Sequence, residues 1–177
     1  MNNKEKISQL RTKTYLTEEE FEEYKEVLKY LCRVSEDNIN NMFLPFTAPR
    51  KEKYKGLENC PECPALSRIA LKNEIWKKHS ETKLLVSNLG RVAKSEKEIP
   101  SLEEILPQKE KDCDESGYLV AESATSHFVY RLVAETFKPM QSYSGYACHH
   151  IDNNGTHNTP DNLIWLTKSQ HTEVHKK

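Results

Sequence analysis

The sequence has few of the features that mark secreted or membrane proteins. It has five cysteines, an odd number, and only Cys60 and Cys63 lie close together, which argues against a disulfide framework. No apolar run approaches the roughly 20 residues needed to cross a bilayer. The first residues lead into no apolar segment of the signal-peptide kind. We therefore expect an intracellular, cytoplasmic protein with reduced thiols and no membrane partner.

An excess of charge of one sign is also lacking. The chain has 26 Lys and Arg against 27 Asp and Glu, for a net charge of −1 over 177 residues. This balance excludes a polybasic nucleic-acid binder and an acidic tail. Residues 68–97 are a local exception, because basic side chains outnumber acidic ones there. That excess fits phosphate contacts or, equally well, a solvated face.

Three parts can be distinguished along the chain, and together they predict an α+β fold. We place a helical N-terminal extension at residues 1–55, a small strand-rich region at 56–120 and a C-terminal module at 121–177. In the first part, an amphipathic pattern behind a Thr17 capping box predicts a helix up to residue 33. A second short helix is predicted over 35–43.

The middle of the chain has the pattern of short strands. Asn and Gly within 87–90 predict the turn of a hairpin that begins with the apolar segment 84–86. Another strand is predicted at 118–121, whereas the polar stretch 95–116 predicts a loop. A helix follows over 128–137, which ends before a proline.

Histidines are concentrated near the C-terminus, where five of the seven fall within the final 29 residues. Such a cluster is a candidate metal or catalytic site. His149 and His150 end a predicted strand, so their side chains leave on opposite faces and cannot both bind one ion. One of them can be a ligand while the other remains available.

A predicted helix supplies two further ligands. Thr167 and Gln170 form a capping box that starts this helix. His171 and His175 then lie four residues apart on one helix face. Two helical histidines and one strand histidine leave an open coordination position, which is typical of a catalytic site. The other strand histidine would be a neutral imidazole able to take a proton from water.

Cys60 and Cys63 have the spacing of half a zinc-binding knuckle, but the second Cys-x-x-Cys pair is missing. Another cysteine, or His79, would have to complete the ligand set. These two residues are therefore candidates for a second, structural metal site. The alternative is that they are small packed residues.

The C-terminal residues resemble the motif of the HNH (ββα-metal) endonucleases. The resemblance is carried by His149–His150, Asn162 and the pair His171 and His175, whose helix spacing is close to that of the bacterial DNase colicins. Upstream, Val86-Ser-Asn-Leu-Gly-Arg-Val92 resembles a small module that often precedes this motif in homing endonucleases of phages and introns. The similarity covers about residues 74–177.

This resemblance implies roles for individual residues. His149, His171 and His175 would hold one divalent metal ion, His150 would be the general base, and Asn162 would hold the loop that orients His150. Homing members usually have Asp and often Asn at two of these ligand positions. The all-histidine set therefore favours Zn²⁺, with Mg²⁺, Mn²⁺ and Ni²⁺ as alternatives.

The implied function is a homing-endonuclease-like DNA endonuclease, encoded by a bacterium or phage, with DNA contacts at Asn88, Arg91 and Lys94. Its products would carry 5′-phosphate and 3′-hydroxyl ends. A monomer would nick DNA, and a homodimer could cut both strands. One alternative is a restriction or anti-phage nuclease with the same chemistry. Another is a non-catalytic, zinc-stabilised module that binds DNA without breaking it.

Overall fold

Helices and small antiparallel sheets together form the part of the chain that the computed structural model describes, residues 3–41, 70–110, 118–121 and 127–176. The helices are α1 (Asn3–Thr12), α2 (Glu18–Asn41), α3 (Val129–Phe137) and α4 (Lys168–Val174). The strands are β1 (Trp76–Lys78), β2 (Leu85–Ser87), β3 (Val92–Ala93), β4 (Gln108–Glu110), β5 (Leu119–Ala121), β6 (Tyr146–His150) and β7 (Leu163–Thr167). The predicted α+β class is confirmed. Among the described helices, none has the length and apolarity required to span a bilayer.

The strands form three separate antiparallel sheets. β1, β2 and β3 lie side by side in chain order, β4 pairs with β5, and β6 pairs with β7. In the last hairpin, Tyr146 lies opposite Thr167 and His150 lies opposite Leu163. Because α4 begins directly after β7, the end of the chain is a strand–strand–helix unit.

α2 begins where the sequence predicts but ends later. Thr17 and Glu20 form the expected reciprocal capping box, in which each side chain bonds to the backbone nitrogen of the other residue. The helix then continues to Asn41. The predicted second helix over 35–43 is therefore wrong as a separate element, because neither glycine nor proline interrupts the sequence between residues 17 and 41.

The described part of the polar stretch predicted as a loop, residues 95–110, is more ordered than predicted. A 3-10 turn at Leu102–Glu104 is closed by a capping box between Ser101 and Glu104. Further on, β4 pairs with β5 in the register Lys109 opposite Val120. The polar sequence of β4 lacks the alternation of apolar and polar residues that predicts a strand. Its pairing depends instead on backbone hydrogen bonds with an apolar partner strand.

The β6–β7 hairpin is buried on both faces. Alternating residues of β7 enter different cores, with Ile164 and Leu166 on one side and Leu163 and Trp165 on the other. The first core is shared with α1, α2 and α4 through these side chains: Leu10, Phe21, Val27, Leu28 and Val174. The second core is shared with β2, β5 and α3 through these: Val86, Leu119, Leu132 and Val133. The N-terminal helices thus pack directly on the hairpin.

A buried lysine joins the segment after α1 to the hairpin. Lys138 Nζ donates hydrogen bonds to the backbone oxygens of Arg11 (3.1 Å), Lys13 (2.6 Å) and Leu163 (2.8 Å). Burial lowers the pKa of Lys138 to about 8. Three carbonyl acceptors match the three N–H donors of an ammonium group, so this buried side chain is fully hydrogen-bonded.

Replacing this lysine by an apolar residue tests the junction. We expect Lys138→Met to lower the free energy of unfolding by about 1–3 kcal/mol, because three carbonyl oxygens lose their shared donor. Urea denaturation measures the change. Lys168→Met, at an exposed position, is the control and should have little effect. Equal losses in the two variants would contradict the role assigned to Lys138.

Candidate metal centre and the histidine beside it

Strand β6 and helix α4 bring three histidines to one place. The ring centroids of His149 and His171 lie 5.4 Å apart, those of His149 and His175 5.1 Å apart, and those of His171 and His175 4.6 Å apart. The Thr167–Gln170 capping box starts α4 and thereby sets the helical turn on which the last two residues lie. The structure thus brings together all three predicted metal ligands.

His149 is the innermost member of this cluster. It is 2% exposed, and its Nε2 atom has no hydrogen-bond partner among the residues that the structure describes. Leaving such an atom unpaired costs about 1–3 kcal/mol. Burial, together with the nearby His171 and His175, holds the pKa of His149 well below its usual range. A neutral imidazole with a buried, unpaired nitrogen fits a metal ligand.

The other two histidines are more exposed than His149. His171 is partly buried, and its pKa is lowered by burial and by the neighbouring His175. His175 caps the end of α4 and is exposed. Three imidazole ligands suit zinc and similar ions better than magnesium, which prefers oxygen ligands.

A thiol from the N-terminal helix α2 joins the cluster. One ligand atom each of Cys32, His149 and His175 lies within 4.8 Å of the other two. Sequence reasoning did not find this residue as a ligand of the histidine site. Cys32 is 117 residues from His149, and its position on the apolar face of α2 indicates only a packed side chain.

His150 leaves β6 on the opposite face and is 4% exposed. Its Nε2 atom lies 2.8 Å from Asn158 Oδ1. Because an amide oxygen only accepts, Nε2 carries the proton and Nδ1 keeps the lone pair. The ring stacks on Tyr118 at 5.6 Å and meets the Tyr130 ring edge-on at 5.3 Å. Burial lowers the pKa of His150 to about 4, so the ring is neutral at physiological pH.

Asn162 holds together the loop between β6 and β7. Its Nδ2 atom donates to Asp152 Oδ1 (2.8 Å) and to the His157 backbone oxygen (3.0 Å), and its Oδ1 atom accepts from the Asp152 nitrogen (3.2 Å). Asp152 in turn pairs with His157 Nδ1 at 2.6 Å, which raises the pKa of His157. The same loop carries Asn158, the hydrogen-bond partner of His150.

The turn of the β2–β3 hairpin contacts this loop. Gly90 has a φ of +80°, and a Cβ atom placed there would lie 2.8 Å from the backbone oxygen of Asn158. Gln108 Nε2 donates to the Gly90 oxygen at 2.7 Å. The close approach explains why a residue without a side chain occupies position 90. It also connects the middle region to Asn158, the residue that holds His150.

The residues predicted to contact DNA have different surroundings. Arg91 is 1% exposed and its guanidinium pairs with Glu74 through two nitrogens. This placement differs from the predicted DNA contact, because an enclosed guanidinium must leave its carboxylate to reach a phosphate. Asn88 is half-buried and its Oδ1 accepts from the Ile75 nitrogen at 2.7 Å. Lys94 is exposed.

Cys60 and Cys63, the residues of the predicted second metal site, lie outside the described residues. The other cysteine close to the histidines, Cys148, is part of β6 and packs into the core that contains Trp165. It therefore lies on the strand face opposite to His149.

Comparison with known proteins identifies the C-terminal segment. Residues 127–173 match the HNH endonuclease family. The match includes His149, His150, Asn162 and His171 and ends just before His175. It confirms, for this segment, the resemblance to the HNH endonucleases that the sequence indicated.

A solved structure described as "DNA binding and cleavage by the HNH homing endonuclease I-HmuI" is similar to this chain. The two chains are 25% identical, 55% of each chain is covered, and the TM-score is 0.42. This chain thus spans about half the length of that relative. No curated protein matches the chain.

A matched pair of glycine variants tests the contact with Asn158. Gly90 and Gly145 both have positive φ, but a Cβ at Gly145 meets nothing within 4 Å. We expect Gly145→Ala to cost about 1–2 kcal/mol from backbone strain alone. Gly90→Ala should cost about 1–3 kcal/mol more from overpacking and should shift the NMR signals of the His150 ring. If the two variants behave alike, the contact has no role.

The unpaired nitrogen of His149 gives a second test. In metal-free protein, His149→Leu should leave the melting temperature unchanged or raise it, since the variant removes an unsatisfied buried polar atom. Added Zn²⁺ should stabilise the original chain but not the variant, because a ligand is missing. Thermal denaturation with and without Zn²⁺ measures both effects. A large loss of stability in the metal-free variant would show that His149 has a purely structural role.

Proposed function

We propose that this chain, whose residues 127–173 match the HNH endonuclease family, is a DNA endonuclease that hydrolyses phosphodiester bonds with one divalent metal ion. The single observation that carries the proposal is that two adjacent histidines of β6 point to opposite faces of the strand. His149 turns into a cluster with two other histidines. His150 turns the other way and is held through Nε2, which leaves Nδ1 with a lone pair.

The proposed metal ligands are His149, His171 and His175. Zn²⁺ fits three neutral imidazoles best, and Mg²⁺, Mn²⁺ and Ni²⁺ remain candidates for activity. When bound, the ion would stabilise the negative charge that develops on the phosphoryl and leaving-group oxygens. Binding an ion would give the buried Nε2 atom of His149 the partner that it lacks among the described residues.

His150 is the proposed general base. Its Nδ1 atom would take a proton from a water molecule, while Asn158 Oδ1 accepts from Nε2–H and stabilises the imidazolium that forms. Stacking on Tyr118 fixes the plane of the ring. Asn162 is a positioning residue, since it maintains the loop that carries Asn158.

DNA is the proposed partner. Lys94 and the other exposed lysines of the segment 68–97 would contact phosphates. Asn88 and Arg91 would then shape the turn that presents this surface, and direct contacts from them would require a rearrangement. We assign the nuclease to residues 121–177, the helical extension to 1–55 and the DNA-contacting region to 56–120.

We also propose a biological role and a mode of assembly for this chain. The chain would act inside a cell as a homing-type nuclease, or as a restriction or anti-phage nuclease with the same chemistry. One centre per monomer would nick DNA, whereas a homodimer could cut both strands. The ends would carry 5′-phosphate and 3′-hydroxyl groups.

A second candidate function is a non-catalytic, zinc-stabilised DNA-binding module. The position of Cys32 beside His149 and His175 favours it, because a fourth protein ligand closes a zinc tetrahedron as in structural sites. This candidate predicts metal and DNA binding without strand breakage.

His150→Ala distinguishes the two functions. We expect the variant to lose cleavage of supercoiled plasmid in each of Zn²⁺, Mg²⁺, Mn²⁺ and Ni²⁺, because the proposed proton acceptor is removed. Its metal content should be unchanged, since His150 lies on the other face of β6. His127→Ala, at an exposed position, is the control and should remain active. Full activity in His150→Ala would remove the assigned base, and an inactive original chain that binds DNA would favour the second candidate.

A further inference from the structure

The environment of Cys32 points to a role in metal binding. Its sulfur lies within 4.8 Å of a nitrogen of His149 and of a nitrogen of His175, and those two nitrogens lie equally close to each other. In a tetrahedral zinc site, bonds of about 2.0–2.3 Å place the donor atoms roughly 3.3–3.8 Å apart. The 4.8 Å upper bound exceeds this spacing by about 1 Å, so one ion could be shared by the three donors after a small inward movement of the side chains.

A second observation points to a ligand at the same place. The Nε2 atom of His149 is buried without a hydrogen-bond partner in the described part of the chain, although His149 is only 2% exposed. Most buried imidazoles donate or accept with both nitrogens. Since Cys32 and His171 both approach this histidine, a shared ion would satisfy the unpaired nitrogen.

The thiol is held in place by the packing of α2. Cys32 is 4% exposed and belongs to the core that contains Leu28 and Val174. One turn earlier on the same helix face, Lys29 Nζ forms an ion pair with Glu173 Oε1 of α4 at 2.6 Å. α2 is thus attached to α4 beside the histidines by apolar contacts and by a charge pair.

We propose that Cys32 is a fourth protein ligand of the ion held by His149, His171 and His175, so that the site is a Cys–His₃ centre completed by the N-terminal helix α2. On binding, the Cys32 S–H bond breaks, its proton leaves to solvent and the sulfur forms a bond to the ion. The thiolate makes Zn²⁺ and Co²⁺ strongly preferred over Mg²⁺ and Mn²⁺.

This inference rests on the proposed histidine site and adds one ligand to it. With four protein ligands, the tetrahedron has no vacant position. Hydrolysis then needs either a fifth ligand or release of the thiolate from the ion. α2 would therefore control whether the centre acts in catalysis, while the ion would anchor α2 to the nuclease module.

Cobalt spectroscopy tests the proposal. We would use the full chain with Cys60, Cys63 and Cys113 replaced by Ser, which removes every thiol except those of Cys32 and Cys148. Co²⁺ bound to this protein should show the near-ultraviolet charge-transfer band of a thiolate ligand and the visible bands of a tetrahedral ion. Adding Cys32→Ser should abolish the charge-transfer band and lower Co²⁺ affinity by about tenfold or more. Adding Cys148→Ser, the matched control, should change neither.

The remaining measurements separate the two proposals. If Cys32→Ser does not fold, as judged by circular dichroism, zinc X-ray absorption of the parent protein decides the question, since one sulfur and three nitrogen ligands are expected. Co²⁺ binding without a thiolate band, or four light-atom ligands around zinc, would overturn the role of Cys32 and leave the histidine site intact. Absence of Co²⁺ binding, together with undiminished plasmid cleavage in His149→Ala, would overturn both.

Discussion

The β6–β7 hairpin is buried on both faces, and the alternation of side chains along its strands decides which residue meets which neighbour. Adjacent residues His149 and His150 are consequently separated into different environments. His149 meets Cys32 of α2 and the histidines at the end of the chain, whereas His150 meets Tyr118 and Asn158. A shift of one residue in register would exchange them. The two cores oppose such a shift, because it would exchange buried residues such as Ile164 and Trp165 between them.

Several separate parts of the chain converge on this hairpin. α2 places Cys32 and Lys29 beside α4, the β2–β3 turn places Gly90 against Asn158, and Lys138 ties the segment after α1 to β7. None of these contacts is made within the strand–strand–helix unit itself. The environment of the histidines is therefore a property of the whole described structure, even though the family match covers only residues 127–173.

Local sequence signals predicted the local structure well. The Thr167–Gln170 capping box gave the start of α4, and the spacing of His171 and His175 gave a shared helix face. Features that depend on distant contacts were not predictable. The burial of Arg91 with Glu74 could not be seen in a motif that resembles a DNA-contacting module. Likewise, β4 is short and polar, and its sequence has no alternating pattern. It forms a strand because it pairs with β5.

The attachment of the N-terminal helices to the hairpin also affects how the protein is made. Trp165 N donates to Thr14 O at 2.9 Å, and Tyr15 forms a parallel bridge with Trp165. These partners are separated by about 150 residues of chain, so the contact closes one of the longest loops available to the sequence. On a ribosome, α1 and α2 emerge long before β7 and α4 do. The histidine cluster can therefore assemble only after β7 and α4 have been synthesised, so the helices that pack on it wait in the nascent chain for their partners.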